Sequence, residues 1–462
     1  MHGILHLPCH ACEAPKRRFS ALPPGVSRCW RTIMAQFGQG RAREWCGAHG
    51  LPILGSVMNG TVVLVGAGQA AAQCIETLRK KGFAGGVELV GDEPHLPYQR
   101  PPLSKKYLAG EVGLDRLPLR QHSFFEQHGV RLRLGRRAEA VDRTQRRVTL
   151  DDGSALGYDA LVLATGSIAR RLTVPGHDLT GVHYLKNIAD VDLLRSEIVP
   201  GRRAVIIGGG YIGLEAAATL RHLGMEVTVI EMADRVMNRV VAKPVSRYYE
   251  AEHAGHGVRI LLRASVSGLI DDGHRRVCAV DTTAGRIEAH FLLVGIGVLA
   301  DDRLARSAGL ACDNGVVVDE YCRTSDPAIY AIGDCSNHPS PHYGRRIRLE
   351  SVDNAFEQGT TAAVNILGGN QMHDRVPWFW SDQYHHKLLI VGLSQGHDRM
   401  VLRGDPRQNA FSCCYLKDGE LIAIDTVNQA RDQMAARKLI AAHAKLDPVK
   451  LADASIALKD CA

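Results

Sequence analysis

No run in the 462 residues approaches the apolar length needed to cross a bilayer, although 45% of the residues are hydrophobic. A membrane-embedded role is not expected. The apolar core of a secretory signal is also missing, and the eight cysteines after residue 57 contain no C-x-x-C pair. Reduced thiols in a cytoplasmic protein follow, rather than a disulfide framework. Cys9 and Cys12 lie near His2, His6 and His10, but no second ligand pair follows at zinc-site spacing, so no metal is expected. Acidic residues are scarce at the start: residues 1–57 hold Glu13 and Glu44 against seven Lys and Arg, so most of the formal charge of +7 sits there. The body from Met58 onward carries only +2, and net charge gives no case for nucleic acid binding.

What is present is length enough for two or three domains. Residues 1–57 show neither helical nor strand periodicity and are rich in Gly, Pro, Arg and His. They are expected to be a disordered leader or the product of an upstream start, with Met58 the working one. An Arg-rich, acid-poor character is also compatible with an organellar transit peptide.

Two stretches repeat one device. Ala204–Ile207 is a buried β-run, followed by Gly208, Gly210 and Gly213 in G-x-G-x-x-G spacing and then a helical pattern. The first glycine permits a sharp turn, the second a close backbone approach to pyrophosphate, and the third close helix–strand packing. Phosphates then meet unpaired N–H groups at the helix start. The next strand, Met225–Ile230, ends on Glu231, placed to accept a ribose 2′-OH and to repel a 2′-phosphate, which favours NADH. Earlier, Val62–Val65 leads into Gly66, Gly68 and Ala71, with alanine in the last place, and a helix to about Lys81. Strand Val87–Val90 then leads to Asp92, the chosen ribose acid, with Glu93 the alternative. Two cradles imply two dinucleotides, or one resident and one visiting.

Arg100-Pro101-Pro102-Leu103-Ser104-Lys105 is either a proline-stiffened surface loop or a device bringing cations to phosphates or a flavin. Tyr158–Ala164 reads as a buried strand ending at Thr165-Gly166, and Phe291–Val294 as another ending at Gly295-Ile296-Gly297. Asp334, after the run Ile329–Gly333, is either a ligand-facing acid at a strand end or a helix N-cap. From Pro377 the pattern changes to short β-runs, with a hairpin at Lys417-Asp418-Gly419-Glu420 and a closing helix over about Gln429–Ala444. The fold expected is α/β: two Rossmann-like dinucleotide-binding domains (58–170 with 298–376, and 171–297) and a C-terminal α+β domain, 377–462.

In order, the Gly66 cradle, Arg100-Pro101-Pro102-Leu103-Ser104-Lys105, Ala164-Thr165-Gly166, the Gly208 cradle with Tyr211 and Glu215, Gly295-Ile296-Gly297, Gly333-Asp334, Arg348-Leu349-Glu350-Ser351-Val352 and Pro377-Trp378-Phe379-Trp380-Ser381-Asp382-Gln383-Tyr384 resemble FAD-dependent, NADH-using ferredoxin reductases. The type is that of putidaredoxin and rhodocoxin reductases, and the Trp-Phe-Trp-Ser-Asp-Gln string is its most diagnostic part. The resemblance implies FAD contacts from Gly66, Gly68, Ala70, Ala71, Asp92, Arg100, Lys105, Ala138, Ala164, Thr165, Gly166, Lys186, Gly333, Asp334 and Val352. It implies NAD contacts from Gly208, Gly210, Tyr211, Ile212, Gly213, Glu231, Gly295, Ile296 and Gly297. Lys105 would sit near the flavin N5 edge, paired with Glu215; Tyr211 would lie where nicotinamide enters, and Trp380 would stack near the isoalloxazine. Lys186 stands where relatives have an arginine, His385-His386 replaces an acidic or apolar pair, and Asp353 a neutral residue.

The implied activity passes electrons from NADH through FAD to a [2Fe-2S] ferredoxin that supplies a monooxygenase or dioxygenase, by a monomer. The loop after Lys105 holds no vicinal cysteine pair of the kind disulfide reductases need. Docking is expected at Arg345, Arg346 and Lys387. Rubredoxin or monodehydroascorbate reduction would use the same two nucleotide sites, and a slow, redox-regulated flavoprotein like the apoptosis-inducing factor would carry a more basic surface.

Overall fold

The computed structural model describes residues 59–462, so the expectations for 1–57 lie outside the described residues. Strand β1, Thr61–Val65, is buried along Val-Val-Leu-Val because it lies between two parallel neighbours, Gly86–Gly91 and Ala160–Leu163. The sheet runs Ile329–Ala331, Ala160–Leu163, β1, Gly86–Gly91, Val130–Leu134. Its edge strand comes from more than 150 residues beyond its neighbour, so this unit is complete only after the second one has been threaded. Helix α1, Gln69–Lys80, turns Ala71, Cys74, Ile75 and Leu78 into the core. Helix Val352–Ile366 crosses it closely at Gly359, where a Cβ would stand 2.5 Å from the Ala70 carbonyl oxygen.

The second sheet repeats the plan around β2, Arg203–Ile207, and helix α2, Tyr211–His222. Its order is Arg259–Leu261, Glu226–Ile230, β2, Phe291–Val294, Val182–His183, all parallel. Helix α3, Lys243–Gly255, precedes the edge strand and buries Tyr249 and His253.

The third sheet is antiparallel, ordered β3 (Trp378–Gln383), His386–Gly392, Glu420–Val427, Ala410–Lys417, Arg399–Asp405, with helix Ala430–Ala441 on it. Lys417 and Glu420 pair across a two-residue turn whose Asp418 and Gly419 both have positive φ (51° and 81°), the geometry that matches strand twist. The fold is therefore α/β, with two Rossmann-like units and a C-terminal α+β unit. No helix among the described residues is long and apolar enough to cross a membrane.

Candidate nucleotide and electron-transfer site

Both cradles open into one cavity of ≈ 2310 Å³, two or more times the ~300–1,000 Å³ of an ordinary small-molecule site. Gly66 and Gly208 adopt the same conformation, φ +108°, and a Cβ there would lie 2.1 Å from the Ala164 carbonyl oxygen and 2.4 Å from that of Gly295. Each strand thus turns into its helix beneath the end of the next strand in the sheet. Gly68 and Gly210 precede α1 and α2 without any side-chain cap, neither helix has an acid in its first turn, and a Cβ at either glycine would meet nothing within 4 Å. Uncapped N–H groups facing open space, with no competing carboxylate, fit a pyrophosphate at both places.

The acids differ. Glu93 accepts from Tyr98 Oη at 2.7 Å and pairs with Arg100 at 2.8 Å, whereas Asp92 is exposed on the cavity wall and takes no hydrogen bond among the described residues. Of the two, Asp92 is the carboxylate that faces the cavity uncommitted. Glu231 lines the cavity with its oxygens fixed by the Gly209 and Ala233 N–H groups, both at 2.8 Å. Asp334 caps no helix: its carboxylate accepts from Ser167 Oγ at 2.8 Å and lies 3.9 Å from Lys186 Nζ. Burial lowers the Lys186 pKa, with the Asp334 charge opposing, and Lys186 Nζ also donates to Ser167 at 2.8 Å. Arg100 donates to the Lys186 carbonyl at 2.6 Å, so the Pro-Pro loop is tied to the cavity wall and is not a free surface loop.

At the centre, Lys105 Nζ lies 3.0 Å from Glu215 Oε2. Glu215 is 6% exposed and also accepts from Ser104 Oγ at 2.5 Å and Ser381 Oγ at 2.8 Å. The Tyr211 ring tilts against Phe379 at 4.8 Å, and burial holds its hydroxyl well above the ordinary tyrosine range. Trp380 lines the cavity and stacks on Trp378 at 5.4 Å, while Arg437 lies over the Trp378 ring. All the site residues inferred from the sequence line this cavity except two. Ala71, fully buried, points its methyl into the core because helical Cβ atoms on that face turn toward the sheet. Ala138 lies in strand Ala138–Asp142, opposite Leu150 and packed against the core.

The sequence reading missed Ser104, Ser381, Phe379 and Asp425, all on the cavity wall or bonded to it. The first three stood inside motifs already singled out; only their partners were invisible. Asp425 is an acid within a buried strand: Tyr415 Oη donates to it, and burial raises its pKa to about 7. Among the departures, His386 bridges to α3 through Glu252 and Tyr248, both at 2.9 Å, and burial raises the Asp353 carboxyl, with a Trp378 hydrogen bond opposing. The three cations expected at a docking surface are all exposed; Arg346 donates to the carbonyls of Val318 and Asn337, and Arg345 to Gln395 Oε1 at 3.2 Å.

Residues 60–359 match the pyridine nucleotide-disulphide oxidoreductase family, and residues 378–462 match the reductase C-terminal family. The chain is 44% identical over 389 residues to a ferredoxin–NAD(P)(+) reductase of Sphingomonas sp., covering 84% of this chain and 94% of that one. It is 42% identical over 400 residues to rhodocoxin reductase of Rhodococcus erythropolis, covering 86% of this chain and 93% of that one. Among solved structures, the covalent putidaredoxin reductase–putidaredoxin complex superposes with a TM-score of 0.85 at 40% identity, over 87% of this chain and 98% of that one. Two cradles on one cavity, a C-terminal sheet closing it and these similarities over nearly the whole described chain place the protein in the ferredoxin reductase branch of the pyridine nucleotide-disulphide oxidoreductase family.

Proposed function

We propose that this chain is an FAD-dependent NADH:ferredoxin oxidoreductase delivering electrons to a [2Fe-2S] ferredoxin of a monooxygenase or dioxygenase system. The observation that carries it is the meeting of both open cradles in one cavity whose wall includes Lys105 and Glu215 and, among the described residues, no cysteine. Without a dithiol there, electrons entering from NADH leave to an external acceptor.

Bound FAD supplies a group that takes up hydride as an electron pair and gives the electrons up singly. The chain's own residues do the rest. The α1 and α2 N-termini hold the two pyrophosphates, Asp92 and Glu231 orient the riboses, and Glu231 disfavours a 2′-phosphate by like charge. Glu215 holds the Lys105 ammonium at the reacting end, and Tyr211 and Phe379 exclude water where nicotinamide enters. Residues 58–170 with 298–376 form the FAD-binding domain, 171–297 the NAD-binding domain and 377–462 the acceptor-side domain. Arg345 and Lys387 meet the acidic ferredoxin, and the protein works as a cytoplasmic monomer.

The test is NADH-dependent cytochrome c reduction by purified protein with a panel of ferredoxins. A yellow protein whose turnover rises when a [2Fe-2S] ferredoxin is added, and falls with salt, is expected. Equal turnover with and without every ferredoxin, or faster rubredoxin or monodehydroascorbate reduction, overturns the reading.

A further inference from the structure

Strand β3 alternates, as a strand must: Trp378, Trp380 and Asp382 share one face, while Phe379, Ser381 and Gln383 share the other. On that second face Phe379 meets Tyr211, Ser381 meets Glu215 and Gln383 meets His253. The tryptophans account for one half of the Trp-Phe-Trp-Ser-Asp-Gln string, and the polar half has had no task. Both Ser381 and Gln383 are buried, at 0% and 1% exposure, as is His253 at 0%.

We propose that Ser381, Gln383 and His253 are positioning residues for the Lys105–Glu215 pair, forming a directed line of donors from Tyr384 to the reacting end of the cavity. The inference rests on the reductase reading and deepens it. A carboxylate can only accept, so Ser381 spends its proton on Glu215 Oε1 at 2.8 Å and its oxygen must accept in turn. Gln383 therefore presents its NH₂ to Ser381, at 3.1 Å, and turns its carbonyl to His253 Nε2 at 2.9 Å. That contact fixes the imidazole proton on Nε2 and leaves Nδ1 to accept from Tyr384 Oη at 3.0 Å. Tyr384 closes the line under the stacked ring of His256, 3.8 Å away. One negative charge thus sets the direction of every proton along four side chains.

The line adds a polar tie between elements that already share apolar cores. Ser104 and Lys105 come from the Pro-Pro loop, Glu215 from α2, His253 from α3, and Ser381 and Gln383 from β3. Glu215 sits one turn beyond Tyr211 on α2, so its place also sets the distance from the nicotinamide cradle to Lys105. Lys105 makes no other ion pair among the described residues, and a carboxylate free to rotate would carry the ammonium with it. Burial keeps His253 neutral, with its pKa lowered to about 4, so the single tautomer is retained through the neutral range.

The test uses the full-length, FAD-loaded chain with Ser381→Ala, Ser381→Thr and Gln383→Leu. Three quantities are read: the single-turnover rate of flavin bleaching by NADH, the KM for NADH, and the flavin midpoint potential. Removing one donor to the charged Glu215 in Ser381→Ala should slow bleaching about tenfold and lower the potential, with KM changed less than about twofold. Ser381→Thr, which keeps the hydroxyl, should restore both. Gln383→Leu, close to isosteric, should give about a threefold loss by the same route and carries the test if Ser381→Ala does not hold FAD. Unchanged rate and potential in the variants, with only a lower melting temperature, would mean that these residues merely pin β3 to α2 and α3, and would overturn the inference. Wild-type protein that NADH fails to bleach would instead sink the reductase reading itself.

Discussion

The two cradles share their first glycine, φ +108° in each, and differ at the third position, alanine at Ala71 and glycine at Gly213. At Gly213 a Cβ would stand 2.2 Å from the Gly208 carbonyl oxygen, so α2 lies hard on its own turn. The Ala71 methyl instead fills core space beside β1, and the close approach in that half has moved to the other side of α1, where Gly359 lets helix Val352–Ile366 in. The same sequence device therefore rests on two different supports. One cradle is tightened from within, the other is braced by a helix about 290 residues away in the chain. The acids after the next strand differ as well: Glu231 is fixed by two backbone N–H groups and Glu93 is held by Tyr98 and Arg100, while Asp92 takes no hydrogen bond among the described residues.

Gly66→Ala and Gly208→Ala should have the largest effects and should separate the halves. The first is expected to yield colourless protein, and the second a yellow protein that NADH no longer bleaches, as absorbance spectra before and after NADH would report. Loss of colour in both would mean that the cradles are not independent. At the third position, Gly213→Ala should raise the NADH KM roughly 10- to 100-fold, since backbone must move to admit the methyl. Ala71→Gly should keep FAD and cost about 2 kcal/mol of stability, through helix propensity and the loss of a buried methyl, measured by urea unfolding. Equal and small effects would erase the distinction drawn between the supports.

Glu231→Ala should weaken NADH about tenfold and narrow the preference over NADPH, because it removes both a ligand acceptor and the brace on Gly209. Asp92→Ala should weaken FAD less, since none of the described residues leans on that carboxylate; retention of flavin on dilution is the measurement. Acid is expected to act most gently. The folded-state pKa values of His253 and His338, about 4, and of His373, about 3, lie below the ordinary 6.5 because burial disfavours the charged ring. The unfolded chain then binds protons first as pH falls, so their contribution is whole above about pH 6.5 and drains away down toward their folded values. Lowering the pH from about 7.5 to about 6 should cost roughly 0.5–1 kcal/mol per histidine, and His253→Gln should remove its share from the denaturation curve.

The local chemistry was legible early. Buried β-runs ending in spaced glycines, the acid after the next strand, the Asp418-Gly419 hairpin and the change of pattern at Pro377 all depend on neighbours within a few residues, and short-range sterics enforce them wherever they occur. Lys105 and Glu215, 110 positions apart, were paired only through resemblance; nothing local joins them. Geometry alone showed three things the local sequence left open: Glu93 is tied to Tyr98 and Arg100 while Asp92 is exposed on the wall, Asp334 is bonded to Ser167 and caps no helix, and the Pro-Pro loop is part of the cavity.

By itself, then, the sequence determined that two nucleotide cradles and a third, β-rich unit would form, because glycine spacing and strand patterning act through backbone sterics on adjacent residues. The tertiary structure alone decided which side chains share the centre. Ser104, Glu215, Ser381 and His253 come from four elements, and only the packing of three sheets in space brings their polar atoms within hydrogen-bond reach of a common line.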